Sequence, residues 1–499
     1  MKQFLIIPLG GLGKRFSKAG YKTYKPFLKT SNKSRIIDNI ANNFPKNNTH
    51  IIILGNYKKF EKITSSFKRK NTSFIKIKSH KSGPIYSIFL AKEKLKKIIK
   101  NNNFFISYSD INWNWDFRTV KNKIKKKNIV IFSHQGFHPH LETDEKSDFF
   151  LCNKKNEVTE VSEKKTINND YRKNFLATGC YYFSNFKYFD AFFETNIFKK
   201  SSAKKELYLI NLINFCLKKG LKVNHFLINE FVHLGVPSQF ENYIVWRKIL
   251  RDDFKKSINT NFHSVMLMAG KGQRVKNLTT KKPFLNINNE KIFKYIFDKF
   301  GSNKRYIITN NNYSSLLNKK IPIWKVKKTN SMIETVEKSL NFLRNKKNYF
   351  LLSCDCYGTF NNSTLKKFIK YNNPDVILFA FKISDLHKKL GNFHTSIILN
   401  RNKNIKAINV KKFTSSEGEL GHAGFFWIRN NNVFDNLELF KKLNKSKREL
   451  ILDDYFKFLF EKKLNKISCF KLNEYIHIGS VKEYYELKYW VNFFKNEDK

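Results

Sequence analysis

The sequence predicts an α/β protein of two tandem, doubly wound domains, each with a mostly parallel sheet. Three observations predict this fold class. The 499-residue chain is long enough for two domains of ordinary size. A glycine loop followed by a Lys-Pro-Phe-Leu segment occurs once in each half. Short β-branched or aromatic runs also alternate with longer segments of helical period, which is the pattern of βαβ units.

The two halves repeat the same motifs in the same order, and the spacing between paired positions drifts slowly. The paired segments are FLIIPLGGLGKRF (4–16) with SVMLMAGKGQRV (264–275), KPFL (25–28) with KPFL (282–285), NFFISYSDI (103–111) with NYFLLSCDC (348–356), and LATGCYYFSN (176–185) with LGHAGFFWIRN (420–430). Duplication followed by small loop changes produces such a series. The sequence therefore predicts domains 1–252 and 261–499.

Within the first half, predicted strands alternate with predicted helices. The strands are Phe4–Pro8, His50–Leu54, Phe74–Lys78, Phe104–Tyr108 and Asn128–Phe132, and the helical segments include Arg35–Phe44 and Pro84–Ile99. Ligands of doubly wound sheets bind at the carboxyl ends of the strands. The glycine loop and Asp110 each follow a predicted strand, so both belong to the edge where ligands bind.

The amino-acid composition indicates a globular protein but does not identify its binding partners. Apolar residues make up 41% and aromatic residues 16% of the chain, which is typical of a globular protein. The formal charge of +55 would attract anions in general. Lysine, however, is abundant together with Asn, Ile and Phe and is spread along both halves, as biased codon usage would produce. We therefore expect no specific nucleic-acid partner, and the oligomeric state stays unknown.

Cysteine usage and hydropathy give expectations about location. The six cysteines show no paired Cys-x-x-Cys spacing, so reduced thiols in the cytoplasm are the simplest interpretation. Since no stretch approaches 18 apolar residues, no transmembrane segment is expected.

The glycine loop has residue types suited to phosphate. Glycines let the backbone approach a ligand and turn its N–H groups toward phosphate oxygens, and the arginine adds a planar cation. The loop residues are Gly10, Gly11, Gly13 and Arg15 in the first half and Ala269, Gly270, Gly272 and Arg274 in the second. One such loop often has only a structural role. Its recurrence ahead of Lys25 and Lys282 favours phosphate binding.

Asp110 and Asp355 each follow an apolar strand. A carboxylate at that position suits Mg²⁺, which takes oxygen ligands and bridges substrate phosphates. The alternative is that each aspartate caps the following helix.

Taken together, these motifs resemble the sugar-phosphate nucleotidyltransferases, which share the Rossmann-like nucleotide-diphospho-sugar transferase fold. The resemblance covers nearly the whole chain, once per half. Further matching pieces are KSGPIYS (81–87), Ser-Glu-Lys (162–164), ATGCYYF (177–183) and Gly-Val-Pro (235–237). Members of this family transfer a nucleoside monophosphate from a triphosphate to a phosphorylated acceptor and release pyrophosphate.

The resemblance implies roles for individual residues. Those implied to bind the nucleotide are Leu9, Gly10, Gly11, Gly13 and Gly83, with Ala269, Gly270, Gly272 and Ser331 in the second half. Those implied to be catalytic are Arg15, Lys25, Arg274 and Lys282. Those implied to bind the acceptor are Glu163, Lys164, Gly179, Lys411 and Gly424. Asp110 and Asp355 are implied to hold Mg²⁺.

The sequence departs from the family pattern at the second metal ligand. Where the family usually has a second aspartate, the two halves have His233 and His477, and imidazole is a poor ligand for Mg²⁺. Two alternatives stay open at this stage. Either one protein carboxylate with waters suffices, or His233 contacts a phosphate directly.

Other departures separate the halves. Val410 replaces the glutamate that corresponds to Glu163, and Ser331 replaces Gly83. His138 and His140 occur in the first half only, where they either line the acceptor pocket or have no function. The first half keeps more of the pattern and is the better candidate for full activity.

The sequence thus predicts a cytoplasmic, Mg²⁺-dependent nucleotidyltransferase that acts on a nucleoside triphosphate and a sugar phosphate or similar acceptor. The resemblance to the family implies a role in making precursors for surface polysaccharide. Two other classes of protein are alternatives. A glycosyltransferase of related fold would carry an Asp-x-Asp motif, whereas Asp110 and Asp355 stand in Ser-Asp-Ile and Cys-Asp-Cys. A non-catalytic pair of nucleotide-binding domains is the second alternative.

Overall fold

The computed structural model describes most of the chain. The described residues are 3–11, 13–47, 49–55, 67, 69, 71–141, 147–201, 205–252, 262–270, 280–287, 289–300, 302, 304–314, 317, 321–383, 394–444 and 449–496. The chain divides into unit one, Met1–Trp246 with Asn492–Lys499, and unit two, Arg247–Val491. The limits expected from the sequence, 1–252 and 261–499, stay a prediction, and 253–261 lies outside the described residues.

Unit one is built on a mixed, mostly parallel sheet. Its strands are β1 (Gln3–Pro8), β2 (Thr49–Gly55), β3 (Thr72–Lys76), β4 (Phe104–Ser107), β5 (Ile111–Trp113), β6 (Ile129–His134), β7 (Phe149–Cys152), β8 (Val158–Ser162), β9 (Phe175–Phe183), β10 (Val223–Leu227) and β11 (Phe231–His233). The central order is β10-β6-β9-β4-β1-β2-β3. Strand β9 runs antiparallel to β4 and β6, whereas the other central pairings are parallel.

The central strands of unit one form because their residues are apolar on both faces. All six residues of β1 are buried, as are the four of β4, which is typical of parallel strands covered by helices on both sides. The helices of unit one are Lys14–Lys18, Ile36–Asn42, Pro84–Leu90, Lys92–Ile99, Phe117–Ile124, Lys187–Phe193, Asn196–Ser201, Leu209–Lys218 and Pro237–Arg247.

Unit two repeats this architecture. Its strands are β12 (His263–Met268), β13 (Asn286–Ile287), β14 (Glu290–Lys291), β15 (Arg305–Asn310), β16 (Ile323–Val326), β17 (Tyr349–Ser353), β18 (Cys356–Thr359), β19 (Val376–Lys382), β20 (Ser396–Leu399), β21 (Ile405–Asn409), β22 (Glu419–Ile428), β23 (Ile467–Lys471) and β24 (Glu474–His477). The central order is β16-β15-β12-β17-β22-β19-β23, with β22 antiparallel to β17 and β19. Mostly parallel α/β sheets in both units confirm the predicted fold class.

The helices of unit two are Ile292–Phe300, Asn311–Ser314, Met332–Glu337, Leu340–Leu343, Asn362–Asn372, Leu437–Leu443 and Leu452–Glu461. A last helix, Val481–Asn496, begins in unit two, and its final residues belong to unit one. Within the described part of the chain, no helix has both the length and the apolar character that crossing a bilayer requires.

Two features of the topology place the predicted site residues together in unit one. Parallel pairing of β1 with β4 brings the glycine loop and Asp110 to one edge of the sheet. A separate antiparallel ladder pairs β5 with β11 and sets His233 opposite Ile111, the residue after Asp110. In unit two, β18 and β24 form the same ladder.

Most predicted elements of unit one differ from the observed ones by one or two residues at an end, and two of the differences have a structural cause. The segment Pro84–Ile99 is two helices that meet at Ala91, where ψ is 1° instead of helical. The third strand is Thr72–Lys76 instead of Phe74–Lys78, because its pairing with β2 fixes it between Thr72 opposite Ile51 and Lys76 opposite Gly55.

Candidate active site

A pocket of about 440 Å³ opens in unit one where β1 and β4 end. Eight residues singled out from the sequence line it: Leu9, Gly10, Gly11, Gly13, Arg15, Lys25, Gly83 and Asp110. Motifs separated by up to a hundred residues along the chain therefore meet in one cavity.

The glycine loop is held in shape by Tyr24. The Tyr24 hydroxyl donates a hydrogen bond to the carbonyl oxygen of Gly11, 2.8 Å away. Gly13 has φ 61°, and a Cβ atom there would lie 2.9 Å from the Tyr24 ring. Both the left-handed backbone and the close ring therefore require glycine at position 13. Arg15 follows on the exposed side of the loop and lines the pocket.

The central charged contact joins Lys25 to Asp110. Lys25 opens a 3₁₀ turn, Lys25–Phe27, and its Nζ lies 2.8 Å from Asp110 Oδ2, with side-chain exposures of 16% and 22%. Burial raises the pKa of Asp110, but its interactions with Lys25, His233 and Arg15 outweigh burial and hold the pKa below its ordinary value. Asp110 is therefore an anion at neutral pH.

His233 lies beside this pair. The backbone N–H of Leu234 donates to the Asp110 carbonyl oxygen at 2.6 Å, which continues the β5–β11 ladder. Burial lowers the pKa of His233; the charge of Asp110 raises it, and those of Lys25 and Arg15 lower it further. The pKa stays below its ordinary value, so the ring is neutral at pH 7.

A second wall of the pocket contains His80, which sequence reasoning missed. His80 Nε2 lies 2.9 Å from the Ser87 hydroxyl, and both side chains would overlap a Cβ atom placed on Gly10. Gly83 has φ 84°, and a Cβ there would lie 2.5 Å from the Leu207 carbonyl oxygen. A single histidine in a lysine-rich loop carries no signal in one sequence.

The predicted acceptor residues Glu163 and Lys164 lie next to the pocket through Tyr208. Tyr208 lines the pocket, and Lys164 Nζ lies 4.2 Å from the centre of its ring. The Asn211 amide, one turn along from Tyr208, donates to Glu163 Oε2 at 2.9 Å.

Gly179 is required by the ring of Tyr108, another pocket residue. A Cβ atom on Gly179 would lie 2.7 Å from that ring, and Gly179 has φ 92°. The backbone N–H of Tyr108 also donates to the Gly179 carbonyl oxygen at 3.0 Å. Gly179 thus sets how closely β9 and the end of β4 approach each other.

Asp148 is a further acidic group that the sequence did not indicate. Its Oδ1 accepts the backbone N–H of Lys164 at 3.1 Å. Burial is the main cause that raises the pKa of Asp148 to about 6, and the charge of Glu163 raises it as well. Asp148 therefore gains or loses its proton close to neutral pH.

His138 and His140 are core residues of unit one, exposed by only 1% and 7%. They line a small cavity of about 20 Å³ with His233, and the His138 ring packs 4.5 Å from that of Phe231. Burial is the main cause that lowers the pKa of His138 and takes that of His140 to about 3. Neither side chain lines the larger pocket of unit one, and both alternatives, an acceptor-pocket role and no function, stay predictions.

Unit two repeats the charged pair. Lys282 Nζ donates to Asp355 Oδ2, and the Ser353 hydroxyl donates to Asp355 Oδ1. Burial raises the pKa of Asp355, but the charges of Lys282 and His477 and these hydrogen bonds hold it well below its ordinary value. Ala269 is buried directly after β12, with Gly270 next to it. Gly272 and Arg274 lie outside the described residues.

The histidine of unit two sits between two carboxylates. His477 Nε2 lies 4.0 Å from Asp355 Oδ2, and His477 Nδ1 lies 2.9 Å from Glu483 Oε1. Burial raises the pKa of Glu483, but the hydrogen bond and charge of His477, with hydrogen bonds from Ser480, lower it to about 2.

Of the remaining predicted residues of unit two, Lys411 and Gly424 keep the positive φ of their counterparts, whereas Ser331 has φ −142° where Gly83 has φ 84°. Lys411 has φ 51°, as Lys164 has φ 54°, and Gly424 has φ 73°. The Ser331 hydroxyl accepts the backbone N–H of Glu334 at 3.2 Å and so caps the helix Met332–Glu337. That hydroxyl is engaged in the cap.

Across the described ranges, no group of three or more His, Cys, Asp or Glu side chains is arranged to hold a metal ion. The geometry defines an α/β unit with a pocket lined by a glycine loop, four basic side chains (Lys14, Arg15, Lys25 and Lys81) and two acidic ones (Asp110 and Glu206).

Comparisons with known proteins give structural matches only. No protein-family model matches the chain, and no curated protein matches it. Matching solved structures include a nucleoside-diphosphate-sugar pyrophosphorylase from Vibrio cholerae RC9, at 18% identity and a TM-score of 0.40 over 48% of this chain and 99% of that one. Another is the inositol-1-phosphate CTP transferase from T. maritima, at 17% identity and a TM-score of 0.38 over 47% and 98%.

A third match is a UDP-glucose pyrophosphorylase complexed with UDP-glucose, at 14% identity and a TM-score of 0.40, over 49% of this chain and 97% of that one. Each of these matches covers about half of this chain. At these identities the similarity concerns the fold alone.

The buried histidines predict how stability depends on pH. His140 has a pKa of about 3 in the folded chain, against about 6.5 when unfolded. Below pH ~6.5 the unfolded state therefore binds more protons, so this histidine's contribution to stability is lost as pH falls. Urea unfolding between pH 7.5 and 5 should show His140→Asn losing less stability than wild type, by up to about 1.4 kcal/mol per pH unit.

Asp148, whose pKa is raised, changes stability with pH in the opposite direction. Because such groups are present in both proteins, their contribution cancels when wild type and His140→Asn are compared. Identical pH slopes for wild type and His140→Asn would show that His140 is not held neutral by the fold.

Proposed function

We propose that this protein is a nucleotidyltransferase that moves a nucleoside monophosphate from a triphosphate to a sugar phosphate or similar phosphorylated acceptor, with release of pyrophosphate. We place the activity in unit one. One observation carries the proposal: the glycine loop, Arg15 and the Lys25–Asp110 pair line the same pocket.

The proposed reaction needs fixed positive charge more than covalent help from the protein. An oxygen of the acceptor phosphate forms a bond to the α-phosphorus, the bond from that phosphorus to the bridging oxygen breaks, and pyrophosphate leaves with the electron pair. Negative charge accumulates on that oxygen. Arg15, Lys25 and the loop N–H groups are placed to neutralise it. Lys25 would exchange its contact with Asp110 for one with phosphate.

The residues present fit Mg²⁺ with one protein carboxylate. Mg²⁺ is commonly bound by one or two carboxylates together with substrate phosphates and water. Asp110 lines the pocket as an anion, and we propose that it holds the ion. Bound Mg²⁺ would supply positive charge to the phosphates. His233, being neutral and beside Asp110, would contribute a hydrogen bond to phosphate instead of a bond to the metal.

The acceptor would bind on the side of Tyr208. Glu163, Lys164 and Asp148 form a mixed acidic and basic group there, and carboxylates accept hydrogen bonds from sugar hydroxyls. An activated sugar made in this way would serve as a precursor for surface polysaccharide.

The direct test is pyrophosphate release. Each of the four nucleoside triphosphates would be incubated with Mg²⁺ and a panel of sugar phosphates, phosphocholine and phosphonates. With the productive pair, Asp110→Asn should lower kcat about 10²–10³-fold, the scale of losing one electrostatic contact to the reacting group. Asp355→Asn is the matched control, and we expect it to retain turnover on that pair.

Loss of turnover in Asp355→Asn alone would move the activity to unit two. Triphosphate binding by wild type with no pyrophosphate released from any pair would contradict the proposal and favour a nucleotide-binding protein without catalysis.

The loop geometry predicts a second result, on binding. Gly13 and Gly20 both have positive φ, 61° and 85°, but only Gly13 has a neighbour in the path of a Cβ atom. Alanine at either position should lower stability by about 1 kcal/mol through backbone strain. Only Gly13→Ala should weaken triphosphate binding, about tenfold or more by calorimetry, because it displaces Tyr24 and the loop.

Equal triphosphate affinity in Gly13→Ala, Gly20→Ala and wild type would show that the loop does not contact the phosphates.

A further inference from the structure

Both units place a histidine beside the aspartate of the candidate site, and in both a short antiparallel strand pair positions the histidine. His233 is opposite Ile111 in the β5–β11 ladder, and His477 is opposite Cys356 in the β18–β24 ladder. The two rings differ in what lies behind them. Six residues further on, at the start of the following helix, unit one has Gln239 and unit two has Glu483.

In unit one the orientation of the Gln239 amide is fixed by the backbone. Its Oε1 accepts the N–H groups of Gly235 and Val236 at 2.8 and 3.2 Å. Since an oxygen must face those donors, the amide nitrogen is the atom that lies 3.4 Å from His233 Nδ1. An NH₂ group only donates. His233 Nδ1 is therefore an acceptor, and the proton of the neutral ring is on Nε2.

In unit two the equivalent position is a carboxylate. Glu483 Oε2 accepts the N–H and hydroxyl of Ser480, both at 2.8 Å, and Oε1 lies 2.9 Å from His477 Nδ1. An ionised carboxylate only accepts, so His477 Nδ1 must carry a proton. With Nδ1 held by Glu483, the ring nitrogen that can bind a metal ion is Nε2, the atom that faces Asp355.

We infer that Gln239 and Glu483 are positioning residues that fix opposite tautomers of the paired histidines and so give the two units different ligand chemistry. His233 presents an Nε2–H donor for a phosphate oxygen. His477 presents a lone pair that, with Asp355, binds a divalent transition cation such as Co²⁺, Mn²⁺ or Zn²⁺. The inference rests on the proposed function in treating these carboxylates as the cation-binding groups of nucleotide pockets.

The geometry of unit two is close to what such a cation needs. Nitrogen and oxygen ligands lie about 2.0–2.2 Å from Zn²⁺, so at tetrahedral angles two ligands of one ion are roughly 3.4 Å apart. His477 Nε2 and Asp355 Oδ2 are 4.0 Å apart, so a small side-chain rotation would bring both within reach of one ion. Metal-binding histidines commonly donate their other N–H to a carboxylate, as His477 does to Glu483. Imidazole also favours transition metals over Mg²⁺.

Two neighbouring groups are compatible with this arrangement. Lys282 and Ser353 already donate to Asp355, but an ionised carboxylate offers about four lone-pair positions, so a cation can share it. A Cβ atom on Gly479 would overlap the His477 ring, so this position of the ring requires glycine at 479.

The experiment exchanges the two positioning residues. Co²⁺ alone is titrated into the full chain, freed of any polyhistidine tag, and binding is followed by visible absorption and calorimetry without nucleotide. Wild type should bind Co²⁺ at a site that is lost in His477→Ala. Glu483→Gln should weaken that site about 10–100-fold, because glutamine can still accept from Ser480 but would donate to His477 Nδ1.

The reciprocal variant is the matched gain-of-function test. Gln239→Glu should bind one more equivalent of Co²⁺ than wild type, because His233 would then expose its Nε2 lone pair beside Asp110. Thermal unfolding without metal checks that each variant is folded. Should Glu483→Gln fail to fold, the added equivalent in Gln239→Glu decides the question.

The inference is overturned if wild type binds no Co²⁺, if Glu483→Gln binds it as wild type does, or if Gln239→Glu adds no equivalent. Failure of the proposed function is recognised separately, since it appears as absence of pyrophosphate release with Mg²⁺. Either result can be obtained without the other.

Discussion

A carboxylate taken out of water at the end of a strand needs a cation, and both units meet that need with the lysine of a Lys-Pro-Phe turn. An uncompensated buried charge costs several kcal/mol. Lys25 lies 2.8 Å from Asp110, and Lys282 is paired with Asp355 at side-chain exposures of only 9% and 13%. The pair fixes where the turn approaches the sheet. In unit one we propose that Lys25 also serves as a cation beside the glycine loop that an incoming phosphate would bind.

The two units keep this pair and the sheet, and they differ in the side chains around it. The central strands are packed on both faces, so their residues need only be apolar and fill the available volume, a requirement that many sequences satisfy. The site depends instead on individual hydrogen-bond donors and acceptors, so a single substitution changes its chemistry. Gln239 against Glu483 reverses which nitrogen of the histidine carries the proton. Two units with the same sheet but different site chemistry would allow a duplicated chain to bind two different ligands.

Much of the fold and half of the site were predictable from the sequence. Asp110 and the glycine loop follow neighbouring strands, and carboxyl ends of parallel strands share an edge, so their meeting follows from order alone. Asp148, His80 and Glu483 had no such signal, because their partners depend on loop paths and helix starts that one sequence does not specify. His138 was expected either to line the acceptor pocket or to have no function; its packing against Phe231 had no signal in the sequence pattern.

The central claim is that the Lys25–Asp110 pair is the resting form of a triphosphate site. The most direct measurement is a crystal structure of the chain with a nucleoside triphosphate analogue that cannot be cleaved between the α- and β-phosphates. We predict phosphate oxygens within about 3.2 Å of Lys25 Nζ and of the N–H groups of Gly11 and Gly13. A triphosphate bound away from this loop, with Lys25 still on Asp110, would contradict the account.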